Sequence, residues 1–432
     1  MDFIEKRLLD YGVQIPKFLI PENPVDHILW PSFPCINENM NESLIDPLNI
    51  GYLMNSSNYI PDFKKDESKS SKNKYNKLYK NMKRSLRSGF LSEHEGFVLT
   101  KHIYKTGIER YGLLILLDYE KYEVINPLIG ISKQYDNQIT SEYVKFLSKA
   151  VFDMPYAQAL IDDEDEILIE PLIASLFNFK LIFSFNHPIF GTYEGYLITT
   201  PQHYTLISNA LTKIKSNITQ NNKHLFLIHE GVESFESGKI HWENLKNKYG
   251  SSLYMLNPAR FQLVELFNIY NPAIELIPCN ILINNVSYDE LISKFRLTDK
   301  IKVEICPSIR DLHEAILKRF NKYGSICYGL IYDDISYIVT FRQPESDIGI
   351  LNINDVINDY INDKNHEISF YVTISELLIK YSEGKNTAIL LPPFNKHTFF
   401  TNIFKSGPLN KYAYCHDIPA NRKFLFEARN LE

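Results

Sequence analysis

The sequence predicts a mixed α/β protein, and three observations carry that expectation. Its 432 residues are 44% apolar and 23% charged, the balance of an ordinary soluble globular chain. Short apolar runs rich in Ile, Leu, Phe and Tyr alternate with segments of three- and four-residue apolar spacing. The length allows two to four compact units, or one large α/β body.

Taken in order, the first sixty or so residues hold Pro16, Pro21, Pro24, Pro31, Pro34, Pro47 and Pro61, and read as extended segments and turns rather than helices. Between Lys64 and Arg87 lie ten Lys/Arg and two acids. Within this stretch Lys72–Leu86 fits a helix, with Tyr75, Leu78, Tyr79, Met82 and Leu86 at helical spacing. Its basic side is either a solvated face or a surface for an acidic partner or phosphate backbone. Phe97–Tyr104, Tyr111–Tyr119 and Tyr156–Ile161 read as strands, and Ile167–Phe177 as a short helix capped by the acidic run Asp162–Glu166, for which a metal cluster is the alternative. Lys180–Phe185 and Tyr193–Thr199 form a hairpin pair. Pro201–Lys215 is a helix, His224–His229 a buried strand, and Ser234–Tyr249 a second helix closed by Gly250. Arg260–Tyr270 and Glu275–Asn284 are strands again. A smaller C-terminal unit has helices at Tyr288–Phe295, Ser308–Lys322 and Asn354–Asn362, and strands at Ser325–Tyr332, Ser336–Arg342 and Ala388–Leu391. The expected division is an N-terminal segment with its basic helix, 1–88, an α/β core, 89–285, and the C-terminal unit, 286–432.

Several classes are excluded or disfavoured. The start, Met-Asp-Phe-Ile-Glu-Lys-Arg, is no secretory signal, and the longest clean apolar run, Leu113–Leu117, is far too short to cross a membrane. Five dispersed cysteines without a CxxC pair argue for free thiols in a reducing compartment, so cytoplasm is the expected location. A net charge of −6 makes nucleic acid an unfavoured partner, left to the basic 64–87 segment alone. P-loop, dinucleotide-turn and nucleophile-elbow strings are absent, which weakens NTPase, dehydrogenase and hydrolase readings.

The most informative local stretch is His224–Lys239, an apolar strand running through a tight turn at Gly231 into a helix. Ser234 reads as the N-cap of that helix. Such a junction aims backbone N–H groups at whatever occupies the turn, a general anion site of α/β proteins. Here Glu230, Glu233 and Glu236 crowd that end and oppose a bare phosphate. A structural cap, a Mg²⁺-assisted site and a site for another ligand all remain open.

The order of segments resembles the domain-of-unknown-function family 1015, in its clostridial and spirochaetal-type branch. The resemblance rests on Val13-Gln-Ile-Pro-Lys-Phe-Leu-Ile-Pro21, Trp30–Cys35, Gly107-x-x-Arg110-x-Gly112-Leu113, Asp118-x-Glu120-x-Tyr122 and Leu160-Ile-Asp-Asp163. Its strongest blocks are Asn257–Asn268 and Arg422–Arg429. The family's Gly-Asp-Gly-Asn-His-Ser turn is similar to the Asp-Gly-His motif of free-serine kinases on a ParB/sulfiredoxin-like fold. That implies a core of this type and, for an ordinary member, small-molecule phosphotransfer with the motif Asp as general base.

This chain departs from the pattern where chemistry would sit. The turn reads His229-Glu230-Gly231-Val232-Glu233-Ser234, keeping the acid only as Glu and losing Asn and His. Ile281 and Val372 stand where the pattern carries Arg and His, and neither can hold a phosphate or move a proton. Arg110, Arg260 and Glu265 match the family. The resulting expectation is a degenerate phosphotransferase-like site that binds a small ligand or a protein partner, with His229, Gly231, Ser234, Arg260 and Arg110 as ligand-binding residues and no resident metal or certain cofactor. The alternative is an active kinase for a hydroxy amino acid, with Mg²⁺ and ATP or ADP, Glu230 as base, Glu233 as Mg²⁺ ligand or second acid, and Arg260 on a phosphate.

Overall fold

The computed structural model describes residues 3–28, 30, 75–122, 127–187, 190–221, 223–250, 257–298, 301–323, 327–341, 360, 366–384, 386–416 and 424–431. The expected helix Asn354–Asn362, apart from Tyr360, lies outside the described residues, as does the 64–74 part of the basic segment. Two compact units emerge: Met1–Cys35, Ser43–Ile274 and Pro419–Glu432 make the first, and Ile36–Glu42 with Glu275–Ile418 the second. The expected boundary at 285/286 therefore falls at 274/275, and the last fourteen residues return to the first unit.

Helices of the first unit are α1 (Phe3–Asp10), α2 (Asn76–Ser88), α3 (Asn137–Leu147), α4 (Glu170–Ala174), α5 (Pro201–Asn221) and α6 (Val232–Tyr249). Its strands are β1 (Val13–Gln14), β2 (Lys17–Pro21), β3 (Leu91–Glu95), β4 (Phe97–Ile103), β5 (Glu109–Asp118), β6 (Ile129–Ile131), β7 (Phe152–Asp153), β8 (Gln158–Ile161), β9 (Lys180–His187), β10 (Gly191–Ile198), β11 (Phe226–Glu230) and β12 (Phe261–Asn268). Eight of them form a mixed sheet in the order β6-β11-β8-β12-β5-β4-β10-β9, with β1 pairing β5 as a ninth. The β6/β11 and β8/β12 pairs are parallel and the others antiparallel.

Both faces of this sheet are covered, which is why β5 holds the unbroken apolar run Leu113–Leu117 and β12 is buried along its whole length. Leu99, Leu113, Ile115, Phe226, Ile228 and Val264 look toward α5 and α6, which contribute Ile207, Leu211, Ile214, Phe235 and Trp242. Alternate residues, Val98, Leu114, Phe183, Phe185, Tyr193 and Leu263, bury against Met82 of α2, Phe146 of α3 and the tail residues Phe424 and Phe426.

Two expectations need correction here. The N-terminal segment does contain a helix, α1, which ends before the first proline. At eight residues it is too short to persist alone, and Arg7 ties it to Asn209 and Thr212 of α5 at 2.8 and 2.7 Å. Ile167–Phe177 is not one helix. Asp163 Oδ2 accepts the amides of Ile167 and Leu168, and only Glu170–Ala174 is α-helical before a 3₁₀ turn at Leu176–Asn178.

The second unit holds a six-stranded, wholly antiparallel sheet. Its strands are β14 (Asn280–Asn284), β15 (Ile301–Cys306), β16 (Cys327–Tyr332), β17 (Ile335–Phe341), β18 (Ile368–Tyr371) and β19 (Asn386–Leu390), in the order β15-β17-β16-β19-β14-β18. Helix α7 (Tyr288–Thr298) packs on one face through Leu291, Ile292 and Phe295. Helices α8 (Ile309–Tyr323) and α9 (Ile374–Ser382) cover the other through Leu312, Ile316, Leu377 and Tyr381. A small pair, β13 (Leu276–Pro278) with β20 (Tyr414–His416), and helix α10 (Lys396–Ser406) complete this unit, while β21 (Arg429–Asn430) belongs to the first unit and pairs β7. Cys279, Cys306, Cys327 and Cys415 are buried. Among the described residues no helix is long and apolar enough to cross a membrane.

Candidate functional site

Strand β11 delivers His229 and Glu230 to the sheet end, and Gly231 turns the chain directly into α6. Gly231 has φ +69° and ψ 34°, the left-handed region that favours glycine. A Cβ at this position would collide with the carbonyl oxygen of Tyr156. Gly231 itself is the N-cap, without a side-chain cap hydrogen bond, so Ser234 is not the cap. It lies within the first helical turn, buried, and accepts a hydrogen bond from Gln262 Nε2 at 3.3 Å. The misplacement has a simple cause: the helix starts at Val232, because the left-handed glycine completes the turn without a capping side chain.

The acids of the turn are engaged within the chain. Lys133, at the end of β6, donates to Glu230 Oε1 at 2.7 Å, with both side chains largely buried. Glu233 Oε1 accepts the backbone amide of Asp136 at 3.3 Å, which links the first turn of α6 to the cap of α3. Glu236 is buried, accepts from the Tyr122 hydroxyl, and has its pKa raised by desolvation. His229 is fully buried; burial first, then the nearby charges of Lys133 and Arg110, pushes its pKa well down, so the ring stays neutral at physiological pH.

Arg110 stands behind His229 in the interior. It is 1% exposed, with its guanidinium 4.8 Å from the Phe267 ring centroid and 5.4 Å from that of Tyr104, and Nη2 lies 3.4 Å from His102 Nδ1. Around it runs a buried polar layer. Thr100 donates to Glu265 at 2.6 Å, Gln158 Nε2 reaches the same carboxylate at 3.4 Å, and Tyr193 donates to Glu427 at 3.0 Å. A charge this deep is costly unless it is paired, and Arg110 is enclosed by the Phe267 and Tyr104 rings and His102.

Arg260 is engaged by an acid of the chain. Its Nε and Nη2 close on Asp118 at 2.8 and 2.6 Å. Neighbouring Glu120 accepts from Trp242 at 2.6 Å and Lys246 at 2.7 Å, both late in α6. Arg260 is thus closed on Asp118 beside Glu120, while Gln262, two residues on, reaches Ser234 in the first turn of α6. The donors do not fit a bound Mg²⁺ either: Glu230 holds a lysine, Glu233 holds an amide, and among the described residues no group of three His, Cys, Asp or Glu could take a metal.

A protein-family model described as a protein of unknown function, DUF1015, matches residues 20–388. The chain belongs to this family. No curated protein matches it. Among solved structures, a free serine kinase in complex with AMP is 9% identical, with a TM-score of 0.38 over 74% of this chain and 92% of that one. SbnI with a C-terminal truncation, from Staphylococcus aureus, is 8% identical at a TM-score of 0.36, over 74% and 87% of the two chains. A conserved hypothetical protein from Pyrococcus furiosus is 8% identical at 0.34, over 72% and 93%. Likenesses at these scores decide nothing about the chemistry of the present chain.

In this DUF1015 member the residues that sequence reasoning misses are the neutralising partners, Lys133 for Glu230 and Asp118 for Arg260. They lie 97 and 142 residues from the groups they hold. Asp118 and Arg260 each fall in a stretch that resembles the family, but local spacing carries no sign that they pair.

Proposed function

We propose that this DUF1015 member is a non-catalytic protein whose phosphotransferase-like turn has degenerated, and that it acts by binding a small ligand or a protein partner. One observation supports this above all: the two charges that phosphotransfer would need are each closed on an internal partner, Glu230 on Lys133 at 2.7 Å and Arg260 on Asp118 at 2.6 Å. General acid–base groups typically contribute about 10²–10⁴-fold each, so a turn without a free base loses most of a catalytic rate.

A second reading is favoured by the backbone. Helix α6 begins without a side-chain cap, which leaves the amides of its first turn suited to an anion. On that reading the chain is a kinase for a hydroxy amino acid, with Glu230 as proton acceptor once Lys133 is displaced.

Isothermal titration of the full chain with ATP and with ADP, each with Mg²⁺, separates the two. The expected result is no saturating heat up to about 1 mM nucleotide. Heat that saturates near one site per chain and vanishes in Glu230→Gln would revive the kinase-like reading, and phosphate transfer to a hydroxy amino acid in the same mixture would overturn the non-catalytic one.

A further inference from the structure

The six-stranded sheet of the second unit ends at β15, whose sequence Ile301-Lys-Val-Glu-Ile305 reads symmetrically about Val303, apolar residues matching apolar ones and lysine matching glutamate. Among the described residues β15 pairs only with β17, so its outer side has no strand to bond. An open edge of this kind is a template for another strand.

Alternation sends Ile301, Val303 and Ile305 to one face and Lys302 and Glu304 to the other. Ile301 and Val303 pack, half-buried, at the margin of the core on the α7 face. Ile305, on the same row, is 73% exposed. Its cross-strand neighbour is Tyr337 of β17, and its other side borders the open edge. On the opposite face Glu304 accepts from Lys302 and from Arg319 of α8, each at 2.9 Å, with the Lys302 side chain still 47% exposed.

We propose that β15 pairs with β15 of a second copy of this chain, antiparallel about a two-fold axis through Val303. The residue pattern is what selects a second copy. With the two Val303 residues opposite each other, Ile301 faces the partner's Ile305, and Lys302 faces the partner's Glu304. Each pair occurs twice by symmetry, so the exposed Ile305 gains an apolar neighbour and two cross-strand ion pairs form. Directly opposed Cβ atoms stand about 4.5–5.5 Å apart, close enough for both kinds of contact. Other registers lose this match. Parallel pairing in register sets lysine on lysine and glutamate on glutamate, and an antiparallel axis through Lys302 or Glu304 opposes like charges at its centre. The charges therefore favour a closed, isologous pair over the open stacking that an edge strand risks. A five-residue ladder is only about 17 Å long, which puts the association in the weak, reversible class. Strand β15 lies in the second unit and the Gly231 turn in the first, and the pairing does not rest on the function proposed above.

Sedimentation equilibrium of the full chain at low salt, from about 5 to 500 μM, tests the pairing. The wild type is expected to pass reversibly from the mass of one chain to that of two, with a Kd of about 10–100 μM. Lys302→Glu and Glu304→Lys each oppose like charges twice, and each alone should weaken the dimer about tenfold or more. An equimolar mixture of the two variants should associate like the wild type, because each then meets the charge it lacks. Ile305→Lys, at a position already exposed, should abolish pairing while the thermal melt keeps the wild-type transition. The proposal is overturned if the chain stays monomeric up to about 500 μM, if Ile305→Lys dimerises like the wild type, or if the mixture associates no better than either variant alone.

Discussion

Two glycines with the same left-handed backbone differ only in what surrounds them. Gly89, the C-cap of α2, has φ +69° with nothing within 4 Å of a built Cβ, whereas Gly231, also at φ +69°, has the Tyr156 carbonyl against it. Alanine at Gly89 carries only backbone strain, about 1–2 kcal/mol. Alanine at Gly231 carries that strain and an overpacking cost of about 1–3 kcal/mol. Urea unfolding of Gly89→Ala and Gly231→Ala is expected to show the second as the more destabilised, and equal losses would mean that the Tyr156 segment moves aside freely. At this scale the turn itself is legible in the sequence, because a strand, a glycine and a helix pattern follow one another. What fills the turn is not. Glu230 looks like a base and Arg260 like a phosphate ligand until Lys133 and Asp118 come into view, and those partners are set by sheet order and not by neighbouring residues.

Elements that carry their own period were the legible ones: α5, α6, α8, β5, β11 and β12 all lie where apolar spacing places them. Helix α1 goes beyond those expectations since tertiary bonds from Arg7 decide it, and β13 and β14 split an expected single strand at Cys279. Helix α2 shows both halves of a sequence pattern with separate consequences. Tyr75 and Met82 join the core, with Leu78, Tyr79 and Leu86 packed against it, while Lys77, Lys80, Lys83, Arg84 and Arg87 are exposed. Ion pairs do not hold these five cations among the described residues, so they contribute to solubility and to the field outside the molecule more than to its stability. Replacing Lys77, Lys80, Arg84 and Arg87 by Gln should leave the unfolding free energy within about 0.5 kcal/mol per site. Met82→Ala, at 1% exposure, should cost about 2–5 kcal/mol. A reversed order in denaturant titrations would show that the basic face, and not the apolar one, docks the helix.

Across the whole molecule, the sequence places the C-terminal residues with the second unit, but the chain carries them back to the first. Leu19 and Ala428 exchange backbone hydrogen bonds at 2.8 and 2.9 Å, Trp30 Nε1 donates to the Phe426 carbonyl at 2.7 Å, and Arg429 meets Asp153 at 3.0 Å and the Phe261 carbonyl. Partners as distant as Trp30 and Phe426, 396 residues apart, leave no local period to read. The closure has an electrostatic consequence. It helps to seal an interior in which His102, His187, His229 and His241 are all buried in the first unit. Desolvation lowers the pKa of each, to about 3 for His102 and about 4 for His187 and His241, with Arg110 adding to the effect on His102, Lys105 on His187, and Arg429 on His241. Unfolded, these imidazoles titrate near 6.5. Below that pH the unfolded chain binds protons that the folded chain refuses, so stability is full above about pH 6.5 and falls as the pH drops toward the folded values, by up to about 1.4 kcal/mol per pH unit for each group. Asp163, Glu170 and Glu236, whose pKa values are raised by burial, act in the opposite sense, because protonation relieves their desolvation as the pH falls through their folded values. Four histidines outnumber these three carboxylates, so acid destabilisation is the larger effect as the pH falls below 6.5. Urea unfolding at pH 7.5, 6.0 and 5.0 should therefore give free energies that are flat above pH 6.5 and drop by several kcal/mol by pH 5.0. A profile level down to pH 5.0 would mean that these imidazoles reach water in the folded chain and that the C-terminal closure does not seal them.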